Sequence, residues 1–184
     1  CNYCGLRAGR DVRRTTITPE EMAKAVVDLA GRNLIQGAFI SSGIAGGGVR
    51  AQDRLLDMAQ ILRHKLGYSG YLHLKIMPGA EYDQVLAAMK LANRVSINLE
   101  GANQRRLNLL APQKVFAEEL IKPLRWVEAI RREQPAASGW QGRWPSSTTQ
   151  FVVGAAGESD LELLQTVASL NQQVKLARSY FSGF

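Results

Sequence analysis

Residues 71–100 read YLHLKIMPGAEYDQVLAAMKLANRVSINLE, and three periods follow one another inside that run. Tyr71 to Met77 alternates as a strand does and is closed by Pro78-Gly79; Glu81 to Ala92 repeats at helical spacing; Arg94 to Leu99 reads as a second strand. A strand, a helix and a strand in about 30 residues make one βαβ unit, whose strands must run parallel because the connection crosses over. Alternation also sorts the side chains. Tyr71, His73, Lys75 and Met77 share one face of the first strand, and Ser96, Asn98 and Glu100 share one face of the second. Polar groups recurring on neighbouring parallel strands, toward their carboxyl ends, lie where such folds place their sites.

The same alternation extends in both directions. Thr18-Pro19-Glu20-Glu21 supplies a cap, a first-turn proline and two acids for a helix reaching about Arg32. Gly37 to Gly43 reads as a short buried strand through Ala38-Phe39-Ile40. Gln52 to Leu66 is helical, with Leu55, Leu56, Met58, Ala59, Leu62 and Leu66 on its apolar face and a stop at Gly67. Val115 to Glu133 is a long amphipathic helix that Pro123 should kink or restart. Gln134 to Thr149 reads as an irregular connection. Gln150 to Val153 is a strand running into Gly154-Ala155-Ala156-Gly157, Ser159-Asp160 caps a helix from Leu161 to about Val174, and Ala177 to Phe181 is a last strand. Repeated βαβ units leave two architectures, an open doubly wound sheet or a barrel. A complete eight-unit barrel takes about 250 residues, so 184 allow at most a partial one.

Hydrophobic residues at 46% and charged residues at 21% fit a single globular domain spanning 1–184. No apolar run reaches a membrane span of about 18 residues, and no signal-peptide pattern opens the chain, so a cytoplasmic protein without membrane contact is expected. The formal charge of +7 favours polyanionic partners without naming one. The chain starts at Cys1 and stops on an apolar run at Phe184, which reads as a fragment of something longer.

The two cysteines stand in Cys1-Asn2-Tyr3-Cys4. Two thiols at that spacing chelate one metal or cluster, or form a redox disulfide. Zinc would need two more ligands, and His64, late on a helix, and His73, in mid-strand, are poor candidates. His73 and Lys75 are candidate catalytic groups, because a lysine in a cavity is a cation at low dielectric; alternatively Lys75 pairs with Glu100 across adjacent strands. Arg7, Arg10, Arg13 and Arg14, with Arg105-Arg106, are either phosphate contacts or a solvated face. Trp126 has the spacing of core packing, whereas Trp140 and Trp144 either pack or stack on bases.

Cys1-x-aromatic-Cys4 resembles the last two cysteines of the radical S-adenosylmethionine signature, C-x3-C-x2-C, whose first cysteine would lie four residues ahead of Cys1. Phe151-Val152-Val153-Gly154-Ala155-Ala156-Gly157-Glu158 is similar to the fifth-strand motif of that superfamily. Ser41-Ser42-Gly43-Ile44, Tyr71-Leu72-His73-Leu74-Lys75, Met77-Pro78-Gly79-Ala80, Leu109-Leu110-Ala111-Pro112 with Lys114, Ser147-Thr148-Thr149-Gln150 and Tyr180-Phe181-Ser182 narrow the resemblance to a bacterial family of DNA modification or repair radical S-adenosylmethionine proteins. Its members are linked to a uracil-DNA-glycosylase-like partner.

That resemblance implies a partial (β/α)6-type parallel barrel with its first strand missing. It implies a 4Fe-4S cluster on Cys1 and Cys4, with Tyr3 beside it, and S-adenosylmethionine on the open iron, cleaved reductively to a 5′-deoxyadenosyl radical with electrons from a donor. Ser41, Ser42 and Gly43 stand where the superfamily has a Gly-Gly-Glu motif for the methionine amino group, and no glutamate follows here. Asn98 and Glu100 are placed for ribose hydroxyls or the cationic end of the ligand; Gly154, Gly157 and Glu158 fall on the adenine side. The implied substrate is DNA or a nucleotide. Two rivals remain: a non-catalytic iron–sulfur accessory that binds nucleic acid and recruits a base-excision partner, and a zinc or dithiol site on a generic barrel.

Overall fold

Five strands, β1 (Gly37–Ile40), β2 (Tyr71–Lys75), β3 (Arg94–Ser96), β4 (Ser146–Val153) and β5 (Arg178–Gly183), pair in the order of the sequence, and every pair is parallel. A doubly wound sheet reverses its strand order at a switch point. This one never does; it curls into a half-barrel. The computed structural model describes residues 1–7, 9–13, 15–44 and 46–184, so Arg14, a candidate phosphate contact, lies outside the described residues.

The helices are α1 (Pro19–Gly31), α2 (Gly48–Gln60), α3 (Tyr82–Leu91), α4 (Gln104–Leu110), α5 (Lys122–Glu133) and α6 (Asp160–Val174). Contacts run from α1 to α2, α2 to α3, α3 to α5 and α5 to α6, as expected of one layer wrapped around a curved sheet. Leu72, Leu74, Ile76, Val95, Ile97, Leu99 and Phe151 are buried in the core with the apolar stripes of those helices, Leu62, Met89, Leu124 and Val127 among them. The alternate residues of the strands form the concave face.

Local chemistry explains the boundaries. Thr18 caps α1 with a capping box, its hydroxyl accepting from the Glu21 N–H while the Glu21 carboxylate accepts from the Thr18 N–H. Ahead of α5, Phe116–Ile121 winds as a π-turn, and the α-helix restarts with Pro123 in its first turn, where the missing N–H costs nothing. α2 begins at Gly48, ahead of Gln52, and passes into a π-turn over Ile61–Lys65. Gly48 is required there: a Cβ would sit 1.7 Å from the Pro78 carbonyl oxygen, so only glycine lets the start of α2 approach the turn after β2.

Three differences from the sequence reading concern β3, β4 and α4. The β3 ladder ends at Ser96, and pairing resumes only where Glu100 bridges Phe151. β4 starts at Ser146, inside the stretch read as an irregular connection. Its Ser-Ser-Thr-Thr start lacks apolar alternation yet is almost wholly buried, with the Thr149 hydroxyl donating to the Ile97 carbonyl. α4 was absent from the sequence reading.

The amino ends of β2 and β3 are tied together by Arg63. Its buried guanidinium donates to the carbonyls of Leu91, Tyr68 and Gly70 and to Asn93 Oδ1, and lies 4.1 Å from the centre of the Trp140 ring. Trp144 Nε1 donates to the Gln134 carbonyl. Trp140 thus packs on Arg63, and Trp144 against the core. Trp126 packs against the core and meets Tyr82 edge to face.

Candidate functional site

The turn Cys1–Cys4 closes on itself through the Cys4 N–H and the Cys1 carbonyl, 3.3 Å apart. It is docked on the end of α4. The Asn2 N–H donates to the Leu110 carbonyl at 2.6 Å and Asn2 Nδ2 to the Leu109 carbonyl at 3.0 Å, so the turn satisfies carbonyls that a helix end leaves without partners. Tyr3 packs with Leu110, Val152, Ala155 and Ala156, at the carboxyl end of β4. Both thiols are free, and the Leu6 N–H donates to Cys4 Sγ at 3.4 Å.

Beneath Tyr3 lies a cluster of charge. Glu100 has a left-handed backbone, φ 64°, and bridges to β4 by accepting from the Val152 N–H and donating to the Gln150 carbonyl. Its buried carboxylate accepts from Lys114 Nζ at 3.2 Å, so the partner of Glu100 is Lys114 and not, as one sequence reading had it, Lys75. Among the described residues Lys75 Nζ has no hydrogen-bond partner. Burial pushes its pKa down to about 8, against the pull of Glu100, with Lys114 lowering it further. The Tyr3 phenol is shifted up, first by burial and then by the neighbouring Glu100 charge. One carboxylate thus faces two ammonium groups.

The remaining candidates separate by position. Asn98 Nδ2 approaches Gln150 Oε1 at 3.5 Å, and Gln150 Nε2 donates to the Ser182 hydroxyl, a polar row across β3, β4 and β5. Ser41, Ser42 and Gly43 form an exposed loop after β1, where the Ser42 hydroxyl donates to the Gly43 carbonyl. Gly154 and Gly157 have positive φ, 88° and 64°, and a Cβ on Gly154 would meet nothing within 4 Å, so the space beside its backbone is open. The Glu158 carboxylate is turned back on that loop, accepting from the N–H groups of Gly154 and Ala156. It holds the turn in this conformation. Arg106 makes a two-pronged ion pair with Glu162 and donates to the Ala156 carbonyl. Arg7 donates to the Asn2 carbonyl within the docked turn.

His73 lies against Phe39, ring centres 4.3 Å apart, and its Nε2 is buried without a hydrogen-bond partner. Burial, then Arg94 and Lys75, push its pKa down to about 4, so it is neutral at physiological pH. Ser96 lies on the polar face read from alternation, whereas the sequence assigns Lys114 no role in a site. Lys114 sits in a loop without periodicity, and only the fold brings it to Glu100. Surface depressions of about 460 Å³ and 500 Å³ lie along α6 with Phe116 and Arg125, and beside Thr16, Arg50 and Asp53; neither includes the concave face. Compared with known proteins, the chain matches no family model and no curated protein.

Proposed function

We propose that this chain is the core of a radical S-adenosylmethionine enzyme acting on DNA or a nucleotide, on a partial (β/α)6-type barrel. The observation that carries the reading is the place of the Cys1–Cys4 turn: two free thiols fastened by Asn2 to the carboxyl side of a curved parallel sheet, where sites gather in such folds. The donor set fits an iron–sulfur cluster in part. Two thiols are present, with a backbone N–H on one sulfur as cluster thiolates commonly have, and the third thiolate of the signature would come from four residues ahead of Cys1. Among the described residues no group of three or more His, Cys, Asp or Glu side chains converges.

When bound, the cluster and S-adenosylmethionine supply an electron and a carbon-centred radical, chemistry that belongs to the cofactors. The chain's own residues bind and orient. Cys1 and Cys4 hold metal, and Tyr3, packed on Val152, shields it from the core side. Glu100 presents a carboxylate for ribose hydroxyls or a ligand amino group, neutralised meanwhile by Lys114. Asn98 offers an amide beside it, and the open backbone at Gly154 admits a flat ring.

The test is anaerobic iron and sulfide reconstitution of the chain extended through the first signature cysteine. Expected are about four irons per chain, lost in Cys1→Ala and Cys4→Ala, and release of 5′-deoxyadenosine on reduction. Zinc in place of iron, or iron retained in both variants, overturns the reading.

A further inference from the structure

Two registers of the concave face carry more than the cluster reading uses. Phe39, His73, Arg94 and Ser146 lie side by side across four strands; two residues nearer the carboxyl ends, Lys75, Ser96, Thr148 and Arg178 do the same. The rows are about 6.6 Å apart, two strand rises. In the first row Arg94 is occupied, donating to the Ser146 hydroxyl and lying 6.0 Å from the Tyr71 ring centre. His73 Nε2 is buried without a partner, and Phe39 above it is 57% exposed, large for a phenylalanine. In the second row Ser96 is 4% exposed and its hydroxyl has no partner, while among the described residues neither the Lys75 ammonium nor the Arg178 guanidinium donates a hydrogen bond.

Buried polar atoms are almost always satisfied, and of those without a partner among the described residues His73 Nε2 and Ser96 Oγ fall on adjacent rows of this one face, which points to a ligand there. The chemistry of each row says which kind. A cation at either end of two hydroxyls matches a group with several anionic oxygens; an open aromatic face beside a neutral imidazole matches a flat heteroaromatic ring with hydrogen-bonding edges. We propose that the concave face binds a nucleoside monophosphate unit, its phosphate on the row of Lys75, Ser96, Thr148 and Arg178 and its base against Phe39 and His73. The proposal deepens the reading above by assigning the phosphate and the base to named residues, and rests on it only for the expectation that this ligand is substrate.

Binding needs no iron, so the two readings fail separately. The four deoxynucleoside 5′-monophosphates, the matching nucleosides and inorganic phosphate are each titrated calorimetrically into the chain at pH 7, without metal. At least one monophosphate is expected to bind about tenfold or more tightly than its nucleoside and than phosphate alone. Lys75→Gln and the exposed Arg178→Gln are each expected to weaken it about tenfold, and Phe39→Ala to reduce the preference over phosphate. Displacement of the bound monophosphate by a single-stranded oligonucleotide supports the proposal with a strand as source; binding without displacement supports it with the free nucleotide. Absence of binding by all four, or affinity unchanged in Arg178→Gln and Phe39→Ala, both folded by circular dichroism, overturns it.

Discussion

Lys75 occupies an expensive position. Its ammonium is largely removed from water, faces Lys114 as well as Glu100, and titrates near 8 in place of the usual 10.5. The unfolded chain therefore binds a proton more readily between pH 10.5 and 8, so stability contributed by the neutral amine is present above 10.5 and lost as pH falls to 8. At pH 7 the protein bears the full cost. Lys75→Met should then stabilise the fold at pH 7 by about 1–2 kcal/mol, a value discounted for partial exposure, and raise Tm by a few degrees. The gain should fade by pH 10.5. Thermal melts of both proteins at the two pH values check this; a variant less stable at pH 7 would show that the ammonium is satisfied in the native state. A destabilising cation kept on an open face is what a binding site requires, because strain in such sites is held in place by the rest of the fold.

At the scale of elements, periodicity announced what packing needed. Strands with apolar alternation such as Leu72-His73-Leu74, and helices with apolar stripes such as Leu55 to Leu62, were legible because one face of each is buried. The misses share one cause. The start of β4 is buried although its side chains are hydroxyls, of which Ser146 and Thr149 bond across the sheet, and α4 is a seven-residue helix with Arg105, Arg106 and Asn108 breaking its apolar pattern, so neither shows hydrophobic periodicity. That the Glu158 carboxylate folds back on its own turn is a contact no periodicity reveals. Gly48 is another feature only the structure reveals. Gly48→Ala should cost roughly 2–3 kcal/mol, because a methyl group would force α2 off the backbone of Pro78. Gly43→Ala, where a Cβ meets nothing within 4 Å, should cost under about 0.5 kcal/mol. Urea midpoints of the two variants separate steric approach from the general loss of a glycine; equal costs would contradict the close contact.

Over the whole molecule, the sheet divides its labour between its two ends. Arg63, with its four hydrogen-bond partners and the Trp140 ring, locks the amino ends of β2 and β3. The docked cysteine turn and the cluster of Tyr3, Glu100, Lys114 and Lys75 occupy the carboxyl ends. That second assembly could not be read from residue order, since it joins positions 3, 75, 100 and 114 through the docked turn, the strand ends and the loop after α4. Along β2 the two ends are separated by about 13 Å, beyond the reach at which substitutions normally couple. Arg63→Lys keeps the charge but loses the planar fork, and should lower stability by about 2 kcal/mol while leaving monophosphate affinity and iron content unchanged. Lys75→Met should raise stability at pH 7 and weaken monophosphate binding. The double variant should then fall within about 0.5 kcal/mol of the sum of the two single effects in urea denaturation. A departure above about 1 kcal/mol would mean that β2 transmits strain from one end to the other, and that the stabilising end is part of the site.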